Sequence, residues 1–198
     1  MKQNPASCSP EVELDIVSGF HADPVGLIHQ RRADFAVVSE LAEDEPGIVF
    51  HPLFRFEIVA VLSNSHRLTA KPRLEAADFA EETLITYPIP DEMIDIVRQV
   101  LDPAGVRPRQ RRTTELTITL LQLVASGRSI AALPWWAVSS YLERGYVQHR
   151  PIGAHGLTSS LYGTCTESLS RTAYLGDFVR LLRENCFMTL PGITLIER

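Results

Sequence analysis

Apolar and polar residues alternate over Val12-Glu13-Leu14-Asp15-Ile16-Val17, the period of a strand. Gly19 ends that run, and Asp23-Pro24 gives the cap-then-proline order that opens a helix, predicted to reach about Arg32. The mostly apolar Phe35-Ala36-Val37-Val38 reads as a buried strand, so the first part of the chain is expected to be a βαβ unit with a parallel pair. Strands follow at 48–53 and 56–63, broken by a turn at Asn64–Leu68. A short helix at 75–79 leads to a strand at 83–87 that Pro88 stops. The spacing predicts a helix over 91–101, with Met93, Ile94, Ile96, Val97, Val100 and Leu101 as its apolar side.

In the second half, 106–112 reads as a strand, and Thr113-Thr114-Glu115 caps a helix carrying Leu116, Leu120, Leu123 and Val124. Gly127 ends it, and Ser129–Leu133 is a short buried strand stopped by Pro134. A helix over 135–144, strands at 146–151 and 159–166, and a helix over 170–185 complete the pattern. Residues 187–198 read as a loosely attached tail. Strands alternating with helices define an α/β fold. The turn at Asn64–Leu68 and the polar loop at Gly153–Gly156 bracket a candidate second lobe at about 66–158, reached by two chain crossings.

Composition narrows the function. A net charge of −5 on 198 residues argues against a chain that itself wraps nucleic acid. The one basic run, Arg107-Pro108-Arg109-Gln110-Arg111-Arg112, reads as a solvated connection and edge strand. No stretch has the ~18 consecutive apolar residues of a membrane span, and Met1-Lys2-Gln3-Asn4-Pro5 has no apolar core behind it, so a cytoplasmic location is expected. Cys8, Cys165 and Cys186 are too far apart for a zinc site or a disulfide framework. Dinucleotide, phosphate-loop, zincin and nucleophile-elbow patterns are missing; Gly127-Arg128-Ser129 begins like an elbow, but Ala131 stands where its second glycine belongs. The expectation is therefore a non-enzyme with no cofactor and no metal.

In open α/β sheets, ligands bind beyond the carboxyl ends of strands, where helix N-termini direct N–H groups outward. Candidate ligand-binding residues at such ends are Ser18, Gly19, Phe20 and His21, then Ser39, Tyr87 and Pro88, and finally Thr114, Glu115 and Trp135. Hydroxyls beside aromatics suit a small ligand with a carboxylate at one end and an apolar part at the other. Each also has a plainer role: Thr113 or Thr114 is first a helix cap, and Glu115 favours the helix dipole whatever else it does. Spacing does not say which of Trp135 and Trp136 faces a core and which a cleft.

Several segments together resemble the effector-binding domain of LysR-type transcriptional regulators. Among them are Arg32-Ala33-Asp34-Phe35-Ala36-Val37-Val38, the strand and turn ending Leu62-Ser63-Asn64-Ser65-His66-Arg67-Leu68, and Val124 to Pro134. Arg67 stands where the family has proline, and Ser129 where it has glycine. The stretches Ser18-Gly19-Phe20, Leu84 to Pro88, Leu101 to Val106, Thr114 to Thr117 and Leu133-Pro134-Trp135-Trp136 resemble the members that control methionine biosynthesis. The resemblance covers about residues 10–188.

That resemblance implies a two-lobed fold like type II periplasmic binding proteins, the lobes joined by two crossing strands. Lobe one would be 10–64 plus 161–190, lobe two 65–160, and 1–9 and 191–198 tails. It implies a homodimer that senses homocysteine or a related small amino acid in the interlobe cleft. DNA would be bound only through a helix-turn-helix outside this chain. Relatives also begin the domain with a further strand and helix. The alternative is a stand-alone small-solute-binding protein of the same fold, an enzyme being a weaker third.

Overall fold

The computed structural model of the chain describes residues 13–17, 23–39 and 45–197. Its helices and strands, in order, are α1 (Pro24–His29), β1 (Phe35–Val38), β2 (Ile48–Leu62), β3 (Thr83–Thr86), β4 (Gln110–Thr113) and α2 (Thr117–Ala125). After these come β5 (Ala131–Pro134), α3 (Trp135–Glu143), β6 (Gln148–Pro151), β7 (Leu157–Thr166), α4 (Glu167–Ser170), α5 (Ala173–Thr189) and β8 (Ile193–Leu195). The chain divides into two compact units. One holds the described residues up to Phe54, Ser160–Thr189 and the end from Leu195; the other holds Arg55–Ser159 and Leu190–Thr194.

In the first unit, α1 starts where the sequence places it. Asp23 accepts the Gly26 N–H at 2.7 Å, and Pro24 supplies the first turn. A Cβ at position 26 would fall 1.9 Å from Asp23 Oδ2, so a larger residue there would push the Asp23 side chain off its cap. Leu27 and Ile28 are the buried face of this helix. β1 runs antiparallel to β7, with Phe35 opposite Cys165 and Val38 opposite Tyr162.

Residues 13–17 correct the first expectation: they lie outside any strand, with Leu14 and Ile16 72% and 79% exposed. Alternation specifies which faces a strand would show, but a strand also needs a neighbour for its backbone groups. No pairing reaches these residues, so the parallel partner expected for β1 is missing among the described residues.

The second unit is built on a sheet. The half of β2 from Ile58 to Leu62 lies between β5 and β6, antiparallel to both. A parallel bridge between Leu84 and Ile130 adds β3, closed by Ile85 N–H to Ile130 O and Ile130 N–H to Thr83 O, both 2.9 Å. β3 pairs parallel with β4, from Thr83–Gln110 to Thr86–Thr113. Strand order is therefore β6-β2-β5-β3-β4. Val59, Val61, Ile85, Ala131 and Leu133 share one face and form a core with Leu120, Leu121 and Val124 of α2 and Val138 of α3.

Other boundaries also differ from expectation. β4 begins at Gln110, not 106, and α2 begins at Thr117 with Leu116 as N-cap, so Thr113-Thr114-Glu115 does not cap it. β2 is one 15-residue strand, because the exposed Arg55 that interrupts its apolar pattern only turns to the polar side of the same strand. The helix expected over 91–101 divides into a 3-10 turn at Asp91–Met93, an extended Ile94 (φ −97°, ψ 103°) and a π-turn at Val97–Leu101. Its apolar set is too wide for one α-helical stripe, and the break lets Ile94, Ile96 and Val97 all be buried. The helix expected over 170–185 is two: Thr166 caps α4, accepting the Leu169 N–H at 3.3 Å, and α5 runs on to Thr189.

The end expected as a loose tail is held instead. β8 pairs with β2, and Arg183 donates to the carbonyls of Leu53 (3.2 Å) and Ile196 (2.7 Å).

Candidate functional site

Because β3, β4 and β5 run the same way, their carboxyl ends come to one rim of the second unit. Thr86-Tyr87, Thr113-Thr114 and Pro134 mark that rim, and the antiparallel β2 adds Ile58 opposite Pro134. Thr86 is the buried hub. Its carbonyl accepts the Thr114 N–H at 3.1 Å, and its hydroxyl accepts from Arg111 Nη2 at 3.2 Å. Tyr87 Oη lies 2.7 Å from Thr117 Oγ1, which ties the exit of β3 to the first turn of α2.

α2 begins at this rim without a side-chain cap on its own N-cap residue, Leu116; the Leu116 N–H goes to Thr114 Oγ1 at 3.3 Å. First-turn N–H groups have no intrahelical acceptor and carry the positive end of the helix dipole. Arg111 adds a full positive charge nearby, paired with Asp91. Asp95 is occupied by Arg98 and Gln99, each at 2.7 Å. The rim can therefore receive a small anion on N–H groups, hydroxyls and a guanidinium.

Below it is a hollow of about 150 Å³ whose walls include Phe56, Ile58, Thr86, Tyr87, Ile89 and Met93. Its surface is mainly apolar, and Thr86, Tyr87 and Asp95 supply the polar groups. Trp136 stands edge-on to Phe56, the ring centroids 6.2 Å apart, and so backs one wall.

Trp135 faces elsewhere. Its ring meets His149 edge-on at 4.6 Å, in a separate hollow of about 340 Å³ between α3 and β6. Burial, and then the neighbouring Arg150 charge, push the His149 imidazole below its ordinary value. Tyr87 and Trp135, both proposed as ligand contacts, thus line different hollows.

Of the other residues chosen from the sequence, Ser18, Gly19, Phe20 and His21 lie outside the described residues. Ser39 is half-buried at the end of β1 in the first unit, while Pro88 and Glu115 are exposed on the second. Thr114 and Tyr87 come together at the rim. Thr86, Met93, Asp91, Arg111 and Thr117 were not chosen. The β3–β4 register, which sets Arg111 opposite Leu84 and two residues from the partner of Thr86, is what brings Arg111 in. A run of arginines in sequence carries no such information.

Elsewhere, in the first unit, His51 Nε2 lies 3.7 Å from Cys165 Sγ and 3.2 Å from Ser170 Oγ, and burial pushes the Cys165 thiol up. Among the described residues there is no group of three or more His, Cys, Asp or Glu side chains placed to hold a metal ion. No helix among them is long and apolar enough to cross a membrane.

Parallel strand ends that meet at one rim beside a small apolar hollow place the chain in the α/β class. The chain belongs to the LysR substrate-binding domain family, whose model matches residues 9–187. It is 49% identical over 186 residues to the transcriptional regulator MetR of Haemophilus influenzae and 35% identical over 189 residues to MetR of Escherichia coli K12. These matches cover 94% and 96% of this chain but only 60% and 59% of the relatives, so the chain spans about three-fifths of their length.

Among solved structures, the regulatory domain of a MetR from N. meningitidis, a LysR family regulator, superposes with a TM-score of 0.87. It is 52% identical, and the match covers 96% of this chain and 87% of that one. The effector-binding domain of QuiR, in complex with shikimate, shares the fold at a TM-score of 0.68, 18% identity and coverage of 87% and 80%. The fold is the type II periplasmic-binding-protein-like fold of LysR regulatory domains.

Proposed function

We propose that this chain is the effector-sensing part of a MetR-like transcriptional regulator in the cytoplasm, binding homocysteine or a closely related small amino acid and acting without catalysis. The observation that carries this reading is the rim of the second unit. There Thr114 and the start of α2 are tied to Thr86 and Tyr87, the two residues that also line an apolar hollow of about 150 Å³. A carboxylate suits the N–H groups and hydroxyls, and a short sulfur-bearing chain suits the hollow. The likeness to MetR regulators supports the choice of effector and the expectation of a homodimer that meets DNA through a separate helix-turn-helix. To act as a switch, the effector must bind one conformation better than another.

The test is thermal unfolding of the reduced protein with L-homocysteine, with methionine and cysteine as controls. At a hundredfold over its dissociation constant, a ligand that binds only the folded state adds about 2.7 kcal/mol, a rise in Tm of roughly 5–10 °C at this size. A selective rise is expected; equal shifts with all three amino acids, or none, would refute the proposed effector.

A further inference from the structure

One wall of the hollow is a short flap, Pro88–Met93, which contributes Ile89 and Met93 to the lining. It leaves the sheet after the buried Thr86 and ends against the buried Ile94. Two prolines, a single 3-10 turn and an extended Ile94 make it irregular. Its turn is closed locally, by Met93 N–H to Pro90 O and Ile94 N–H to Asp91 O, both 3.0 Å. Among the described residues, the polar tie from the flap to the rest of the unit is the ion pair of Asp91 with Arg111.

Arg111 is poorly satisfied by this pairing. Nη1 goes to Asp91 and Nη2 to the Thr86 hydroxyl, while Nε is buried without a hydrogen-bond partner. The carboxylate of Asp91, by contrast, is 52% exposed and easily rehydrated. A guanidinium presents a planar fork of donors that matches a carboxylate in two-point geometry. The same Thr86 that holds Arg111 also lines the hollow. A molecule with a carboxylate and a short apolar chain can therefore engage the arginine and the hollow together.

We propose that Arg111 is an exchange latch: in the free protein it holds the Pro88–Met93 flap through Asp91, and a ligand carboxylate takes the place of Asp91 and releases the flap. The Thr114 hydroxyl and the first-turn N–H groups of α2 then donate to the same carboxylate. This rests on the reading of the rim as the effector site, and it adds a charged anchor and a gate to that site. Asp91 is thus a built-in competitor of the ligand, which gives the proposal an unusual sign: removing an acidic residue should tighten binding.

The experiment combines calorimetric titration with hydrogen exchange of the flap amides, using L-homocysteine and butanoate as probes. Asp91→Asn is expected to tighten binding of both about two- to fivefold, the worth of a part-exposed ion pair. Arg111→Gln is expected to weaken both at least about tenfold, as for loss of a charged hydrogen bond. Arg111→Lys, which keeps the charge and loses the fork, should fall between them and guards against a Gln variant that does not fold. Either ligand should speed exchange of Met93 and Ile94 in the wild type, and Asp91→Asn should do so without ligand. If homocysteine does not bind but butanoate speeds flap exchange in the wild type and not in Arg111→Gln, the latch stands and the effector is wrong. Weaker binding in Asp91→Asn, or flap exchange unchanged by both ligands and both variants, overturns the latch.

Discussion

The hydroxyls of Tyr87 and Thr117 stand 2.7 Å apart, so the residue that leaves β3 and the first residue of α2 share one hydrogen bond. Either can donate, and both side chains are half-buried. Tyr87→Phe should lower stability by about 1 kcal/mol, the net worth of one such bond. Thr117→Val should do the same, and the double variant should cost less than the sum, since the second change finds its partner already gone. Urea unfolding of the three variants reads this directly.

Gly163 on β7 faces Phe35 so closely that a Cβ would lie 2.1 Å from the ring, and Phe35 in turn packs edge-on to Phe178 of α5 at 5.2 Å. Gly163→Ala should therefore displace a ring held between a strand and a helix, at a cost of about 1–3 kcal/mol. Adding Phe35→Leu should recover part of that loss. A calorimetric Tm series would show it, and full additivity of the two changes would contradict the packing.

Half-buried beside Trp135 and Arg150, His149 binds its proton less readily in the folded state than in the unfolded chain. The sign follows. Its contribution to stability is complete well above the unfolded value of about 6.5 and is lost as pH falls through that value toward the lower folded one, because the unfolded chain then binds more protons. His149→Gln should flatten this part of the pH–stability curve. Indole emission from a Trp136→Phe variant would follow the same titration through Trp135.

Cys165 is fully buried, and its thiol is pushed up by burial; Cys186 is half-buried, with its thiol raised by the same cause. Since the thiolate is the reactive form, both should alkylate more slowly than an exposed cysteine, Cys165 the slowest. Iodoacetamide labelling followed by peptide mass spectrometry, with and without urea, separates the two. Fast native labelling of Cys165 would mean that β7 opens locally.

Patterns that depend on one element alone were legible in the sequence. Asp23-Pro24 marked the start of α1, and Pro88 and Pro134 marked the ends of β3 and β5. What depends on a neighbour was not. The alternation at 13–17 says which faces a strand would show, not whether a partner exists. Ile193–Leu195 is short and bounded by Gly192, so only its pairing with β2 makes it a strand. At the rim, Tyr87 could be chosen because a strand stopped by proline is a local signal. Thr114 reads in sequence as a helix cap, but α2 starts at Thr117 with Leu116 as its N-cap, and Thr114 reaches the rim through its N–H bond to the Thr86 carbonyl. Arg111 could not be chosen, because its role comes from β3–β4 register, and Trp135 could not be told from Trp136 because adjacent helical residues diverge by about 100°.

Among the described residues, β4 has β3 on one side and no strand on the other. An open edge of this kind is a template on which a second chain can continue the ladder, and charged side chains discourage that. Of the four arginines, Arg111 is turned inward, while Arg107, Arg109 and Arg112 stay exposed along or beside the edge. Two chains meeting edge to edge there would set like charges against each other in a protein that is otherwise net acidic. The run read from the sequence as a solvated connection and edge strand would thus discourage edge-to-edge pairing, a protection that high salt would weaken and that replacement of Arg109 and Arg112 by threonine would remove.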